Sequence, residues 1–313
     1  MARAFIFPGQ GSQAVGMGLE LAEASTVARH LFQEVDDALS QHLTRLMFEG
    51  PEDELRLTEN AQPALMAVSL AVVRVLEREA GIDLAEAGDL VAGHSLGEYS
   101  ALAAVGAFEV AEAARLLKLR GQAMQAAVPV GEGAMAALLG LDLEAARAVA
   151  EEAAQGEVCA PANDNAPGQV VLSGHKSAVE RAVEVAAGQG ARKCVLLPVS
   201  APFHCTLMAP AAEAMAEALD RSPPRAPRLP LVSNVSAESV ADPEVIRYLL
   251  VQQVTEMVRW RESVLFMKAQ GVDTLIELGA GKVLSGLTRR IDRELTGLAV
   301  GGPGDVETLQ KSL

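Results

Sequence analysis

The sequence predicts an α/β fold with a mostly parallel sheet, on three observations. Short apolar runs recur between longer stretches of helical periodicity, the texture of strands joined by crossover helices. One such run, Leu90-Val91-Ala92, feeds directly into Gly93-His94-Ser95-Leu96-Gly97 and then into an Ala- and Leu-rich helical pattern. Between residues 131 and 198 the order becomes β-α-β-β-α-β, the split βαβ unit. The chain is therefore read as an α/β-hydrolase-like large domain with a nucleophile elbow, residues 1–130 and 199–313, interrupted by an inserted ferredoxin-like small subdomain at 131–198.

Residues 4–7, Ala-Phe-Ile-Phe, read as a buried strand closed by Pro8-Gly9-Gln10-Gly11-Ser12-Gln13. Gly9, Gly11 and Ala14 match the dinucleotide fingerprint G-x-G-x-x-A. Gly16 and Gly18 interrupt the helix that fingerprint requires, and 26–39 has helical rather than strand periodicity. The dinucleotide reading fails, which leaves a plain turn or a backbone wall of an active site. Helices are expected over 26–39 and 60–79, the second burying Leu65, Val68, Val72 and Leu76.

The elbow comes next. Ser95 stands at the tip of a turn whose backbone few non-glycine residues adopt willingly, and a side chain at Gly93 or Gly97 would collide with that backbone. The helix that follows aims its free N–H groups and positive dipole end at the same spot. Such a turn presents a hydroxyl beside donors for an oxyanion; the plainer alternative is a Gly-rich turn with an incidental serine. A helix over 109–127 then carries Arg115, Lys118 and Arg120 among Leu116, Leu117 and Leu119.

In the insert, strands are expected at 134–139, 158–160, 169–173 and 192–198, and helices at 142–154, with Asp142 as N-cap, and 177–187. Beyond it the pattern gives a helix over 209–220, a Pro-rich linker at 223–230 and a strand at 231–234. Helices at 243–254 and 261–269, a strand at 274–277, a helix opened by Gly279-Ala-Gly-Lys282 and a strand at 298–300 complete the chain. That glycine pair is no phosphate loop, because its spacing is wrong and Val283 stands where Ser or Thr is required.

Composition narrows the function. The 313 residues are half apolar with 3% aromatics and a net charge of −15, which argues against nucleic acid and against anionic lipid as partners. The apolar stretch at 64–76 is broken by Ser69 and Arg74 and falls short of the ~20 residues that span a bilayer. The N-terminal apolar run is too short for a signal peptide. Cys159, Cys194 and Cys205 form neither a disulfide framework nor a metal-binding spacing. A cytoplasmic protein, without metal or cofactor and acting as a monomer, is the expectation.

A serine nucleophile needs a base. Of the five histidines, His30 and His42 fall on polar helical surface. His94 precedes the nucleophile and should point away from it, and His175 sits at a helix start, a capping position. His204 follows a strand end and a Pro-Phe turn, where catalytic loops of α/β folds lie. Acidic residues between the elbow and His204 look like caps or helix surface, apart from Asp164, and Glu98 belongs to a helix start. No triad acid stands out, so a Ser95–His204 dyad with the imidazole held by an amide or carbonyl is expected. The elbow by itself suits an esterase, a thioesterase or a transferase.

With these residues in place, the chain resembles the malonyl-CoA:acyl carrier protein transacylases of fatty acid synthesis. The likeness rests on Phe7-Pro-Gly-Gln-Gly-Ser-Gln13, Gly93-His-Ser-Leu-Gly-Glu-Tyr-Ser-Ala101, Arg120-Gly-Gln-Ala-Met124 and Pro202-Phe-His204, with Asn165-Ala-Pro-Gly-Gln169 and Gly281-Lys-Val-Leu284 in support. It implies Ser95 as nucleophile, His204 as base, Arg120 as partner of the malonyl carboxylate, the backbone N–H groups of Gln10 and Leu96 as oxyanion hole, and Gln253 as the residue whose carbonyl orients His204. It also implies malonyl-CoA and acyl carrier protein as partners. Cys205 stands where the family usually has Ser, Asp164 and Ala166 vary an Asn-rich loop, and Ala280 replaces a usual Pro. Cys205 places a thiol near the site, open to alkylation.

Chemistry supports these roles. Arg keeps its proton at working pH and its planar fork matches a carboxylate. Phe203, beside the base, should crowd a branch at the acyl α-carbon, and Met124, one turn beyond Arg120, can line the same pocket. An acidic carrier protein requires a local basic patch on this acidic chain, for which Arg192 with Lys193, and Lys282 with Arg289 and Arg290, are the candidates.

Overall fold

The computed structural model describes residues 2–312. Six strands form one sheet: β1 (Ala2–Phe7), β2 (Leu90–Gly93), β7 (Leu231–Val232), β8 (Ser239–Val240), β9 (Val272–Leu278) and β10 (Thr296–Val300), in the order β10-β9-β1-β2-β7-β8. All neighbours pair in parallel except β7 with β8. The other four, β3 (Gly133–Leu139), β4 (Cys159–Ala166), β5 (Gln169–His175) and β6 (Lys193–Leu196), form an antiparallel sheet ordered β4-β5-β3-β6.

The parallel sheet is covered on both faces, as apolar strands without alternation require. In β1, Phe5 and Phe7 point into the larger core with the helices Thr26–Leu39, Thr58–Arg78 and Val110–Ala126. Ala4 and Ile6 point to the opposite face, against Trp260 and Val264 of the helix Trp260–Ala269. The antiparallel sheet buries one face, with Leu138, Val170 and Leu172, against the helices Leu143–Ala154 and Lys176–Gly188.

Several elements differ from the sequence reading. β4 runs through Asn163 and Asp164, whose polarity hides it, and register shifts in its pairing with β5 break the alternation. Strand β8 and the helix Pro303–Ser312 carry too little apolar periodicity to be seen. β7 is two residues rather than four, because the chain turns at Ser233 toward β8 while Asn234 bonds the Ser95 and Gly93 backbone. Among the described residues, no helix is long and apolar enough to cross a membrane.

Candidate active site

The elbow forms as its glycines demand. β2 ends at Gly93, the chain turns through His94 and Ser95, and the helix Gly97–Ala104 follows. Ser95 has φ 54°, in the left-handed region that costs an L-residue about 1–2 kcal/mol. A Cβ on Gly93 would lie 1.9 Å from the Gly97 carbonyl carbon, and one on Gly97 would lie 2.3 Å from the Phe7 carbonyl oxygen. Asn234, just past β7, clamps the turn from below: its Oδ1 accepts the Ser95 N–H at 2.7 Å and its Nδ2 donates to the Gly93 carbonyl at 2.7 Å.

The loop after β6 brings His204 to this tip, also with positive φ, 58°. Its Nδ1 lies 2.8 Å from the Gln253 carbonyl oxygen, which can only accept, so Nδ1 carries the proton. Nε2, 2.8 Å from Ser95 Oγ, is left free to take the hydroxyl proton. Burial, and then the charge of Arg120, pull the His204 pKa down to about 3, which keeps the imidazole neutral.

Arg120 arrives from the helix Val110–Ala126 and is 1% exposed. Nη2 donates to Ser95 Oγ at 3.1 Å and to Gln253 Oε1 at 2.8 Å, and Nη1 donates to Gln62 Oε1 at 2.8 Å. The Tyr99 ring stacks under the guanidinium at 5.8 Å. All three hydrogen bonds go to neutral groups, and among the described residues Nε has no partner. A cation buried among dipoles in this way is ready for an anion.

A cavity of about 370 Å³ takes in Ser95, His204 and Arg120 together with Gln10, Leu96, Met124 and Phe203. Gln253 lies one layer behind, bonded to Arg120 and His204. Among the described residues, the N–H groups of Gln10 and Leu96 donate to no protein acceptor. Gln10 Oε1 accepts from Thr58 Oγ1 at 2.9 Å, which in turn accepts from Gln62 Nε2 at 3.0 Å; that amide also touches Met124 Sδ at 3.7 Å. The N-terminal loop and Arg120 are thereby tied through one polar chain.

Two sequence readings, of His94 and Cys205, need correction. His94 does not turn away: it lines the cavity, with Nε2 2.9 Å from Asn165 Oδ1 and its ring 5.8 Å from Trp260. His175 stands at the N-cap of the helix Lys176–Gly188 as expected, although its side chain does not bond the helix and its Nδ1 accepts the Val158 N–H at 2.9 Å. Cys205 is 2% exposed and donates to the Pro202 carbonyl at 3.2 Å, and burial pushes its pKa up, so its thiol is shielded and harder to ionise than an exposed one. Sequence reasoning missed Gln62, Glu98 and Asn234. Gln62 carried a signal, being a polar side chain on the apolar face of its helix.

A second groove, of about 710 Å³, gathers Arg192 and Lys193 at the start of β6 with Arg289 and Arg290 from the last turn of the helix Val283–Ile291 and Arg293 just beyond it. Two of the basic clusters expected separately thus form one, while Lys282 does not line it.

The model of the acyl transferase domain family matches residues 4–294. The chain is 47% identical over 300 residues to the malonyl CoA-acyl carrier protein transacylase of Escherichia coli (strain K12), covering 96% of both. It is 46% identical over 311 residues to the protein of the same name from Bacillus subtilis (strain 168), covering 99% of this chain and 96% of that protein. Among solved structures, the acyl-carrier-protein-S-malonyltransferase from Bartonella henselae superposes with a TM-score of 0.97 at 55% identity, over 100% of this chain and 99% of that one. A malonyl-transacylase in complex with a type II PKS acyl-carrier protein superposes with a TM-score of 0.97 at 44% identity, over 100% of both chains.

Proposed function

The chain belongs to the acyl transferase family, and from that membership and the geometry of its cavity we propose that it moves a malonyl group from coenzyme A to the pantetheine thiol of acyl carrier protein. The observation that carries the substrate is Arg120, a fully buried guanidinium 3.1 Å from the nucleophile and bonded only to neutral partners. A malonyl carboxylate supplies an anion bonded directly to the guanidinium and sets the thioester carbon over Ser95.

The reaction is ping-pong. His204 Nε2 takes the Ser95 proton as Oγ attacks the thioester carbon. The oxyanion is held by the N–H groups of Gln10 and Leu96, each donor contributing about 10²–10³ in rate. The C–S bond breaks, and His204 returns its proton to the departing coenzyme A sulfur, leaving malonyl-Ser95. The pantetheine thiol then gives its proton to His204, its sulfur attacks the acyl carbon, the C–Oγ bond breaks, and Ser95 recovers the proton. Gln253, through its carbonyl, holds the imidazole in the tautomer that both halves need. Met124 and Phe203 shape the acyl pocket, Phe203 disfavouring a branched α-carbon.

The six-stranded sheet supports an α/β-hydrolase-like catalytic domain made of residues 1–130 and 199–313. The order of the four-stranded sheet supports a ferredoxin-like insert at 131–198. The groove of Arg192, Lys193, Arg289, Arg290 and Arg293 is the docking surface for an acidic carrier protein. Mass spectrometry after exposure to malonyl-, methylmalonyl- and acetyl-CoA tests the function. A lasting malonyl adduct on Ser95 supports transfer, and release of free malonate with no adduct makes the protein a hydrolase instead.

A further inference from the structure

Glu98 opens the helix behind the nucleophile and is fully buried. Its Oε1 accepts the backbone N–H of Asn234 at 2.5 Å and its Oε2 accepts from Gln253 Nε2 at 2.6 Å. These two partners hold everything else. Asn234 fixes the Ser95 backbone and the Gly93 carbonyl, while Gln253 fixes Arg120 through Oε1, the Ser95 carbonyl through Nε2 at 3.0 Å and His204 through its own carbonyl.

Resting on the transfer reaction proposed above, we propose that Glu98 is a positioning residue for it, whose ionised carboxylate locks Asn234 and Gln253 together and so sets where the Ser95 hydroxyl, the His204 ring and the Arg120 guanidinium meet. Both carboxyl oxygens accept from N–H donors, so a proton on either one weakens that oxygen as an acceptor and adds a buried O–H that has no acceptor of its own in these bonds. The ionised form makes the stronger lock.

The surroundings oppose that form and so make it titrate. Burial pushes the Glu98 pKa up to about 8, against the two hydrogen bonds and the charge of Arg120, which favour ionisation. The titratable groups around it are Arg120, from the helix Val110–Ala126, Tyr99 on its own helix and His204 beyond Gln253. The strands and the helix packed on its other sides add no charge to it. Arg120 stays protonated, burial keeps the Tyr99 hydroxyl protonated by raising its pKa, and His204 is already neutral. Between pH 6 and 9, Glu98 is the member of this cluster that changes charge.

The test is quenched-flow malonylation of Ser95 at saturating malonyl-CoA, read by mass spectrometry on the full chain. The wild-type rate is expected to rise at least threefold from pH 6.5 to 8.5. Glu98→Gln, which cannot accept at both positions, is expected to lower that rate at least tenfold at pH 8.5, with KM within threefold, and to lose the pH limb. A flat wild-type profile, or a variant within twofold of wild type, overturns the inference. The wild-type profile decides alone should the variant not fold. Failure is separable from that of the function itself: wild-type enzyme that takes no malonyl group at all refutes the transfer reaction, whereas normal wild-type labelling with an indifferent variant refutes only the role of Glu98.

Discussion

Ser95 and His204 meet with both backbones in the left-handed region, at φ 54° and 58°, and with Oγ and Nε2 2.8 Å apart. Neither residue is glycine, so the pair is strained at both ends, and packing has to hold what the local chain resists. The strain locates the two reacting groups: each sits at the tip of a bend that thrusts its side chain into the cavity.

This arrangement separates chemistry from stability. His204→Ala is expected to lower malonyl transfer about 10²–10⁴-fold, the scale of a lost general base. His204→Gly is expected to be equally inactive yet more stable than the Ala variant by about 1 kcal/mol, because glycine accepts positive φ freely. Urea denaturation of the two variants measures the difference; equal stability would refute the strain.

In the proposed reaction Arg120 decides the acyl group. Removing it leaves Gln62 Oε1 and Gln253 Oε1 without a donor and the malonyl carboxylate without a cation. Arg120→Ala is expected to lower kcat/KM for malonyl-CoA about 10²–10³-fold and to narrow its advantage over acetyl-CoA. Arg120→Lys should recover little, since one ammonium cannot bond Gln62, Gln253 and a carboxylate in a planar fork. Parallel kinetics with the two thioesters check this.

The outline of this site was legible because its constraints are local. A serine between Gly93 and Gly97 after a strand can do little else, and the turn before His204 marked a loop. The supporting layer was not legible. Glu98 looked like an ordinary first-turn acid, and Asn234 like the end of a strand, because their roles depend on two segments meeting across the sheet. β4 was curtailed for a related reason: Asp164 is polar yet 1% exposed, neutralised by Arg261 at 2.8 Å from a helix 97 residues away. Long-range pairing overrides local pattern at such positions.

His204 also makes stability depend on pH. Its folded pKa, near 3, lies below the value of about 6.5 for a free imidazole. Below that value the unfolded chain takes up a proton that the folded chain refuses, so stability falls as pH drops from 6.5 toward 3. His204→Gln lacks this penalty. The difference between wild type and variant in urea denaturation should therefore shift in favour of the variant between pH 7 and 4.5, and a constant difference would show that the imidazole is not held neutral.

The basic groove should act on the second half-reaction alone. Five cations on a chain of net charge −15 can draw an acidic partner only locally, over about a Debye length of 8 Å at physiological salt. Arg289→Glu is expected to raise KM for acyl carrier protein severalfold, more at low salt than at high, with malonylation from coenzyme A unchanged. Lys282→Glu, outside the groove, should have the smaller effect. Steady-state kinetics against each substrate at two ionic strengths separate these outcomes.

The groove in turn depends on a buried carboxylate far from the chemistry. Glu277, at the end of β9 and fully buried, accepts the N–H groups of Leu284 at 3.1 Å and Ser285 at 2.8 Å, and so caps the helix that carries Arg289 and Arg290. Glu277→Ala leaves both donors buried and unpaired, a loss of about 2–4 kcal/mol, whereas Glu277→Gln keeps one acceptor and should lose about half of that. Because the cap holds the helix and not the nucleophile, malonylation of folded protein should be unaffected. KM for the carrier should instead rise on warming, well before global unfolding, as the helix, released at its first turn, loses the anchorage that holds Arg289 and Arg290 of its last turn beside Arg192 and Lys193. Parallel temperature series of the two half-reactions measure this, and loss of both together would mean that Glu277 supports the whole fold rather than this helix.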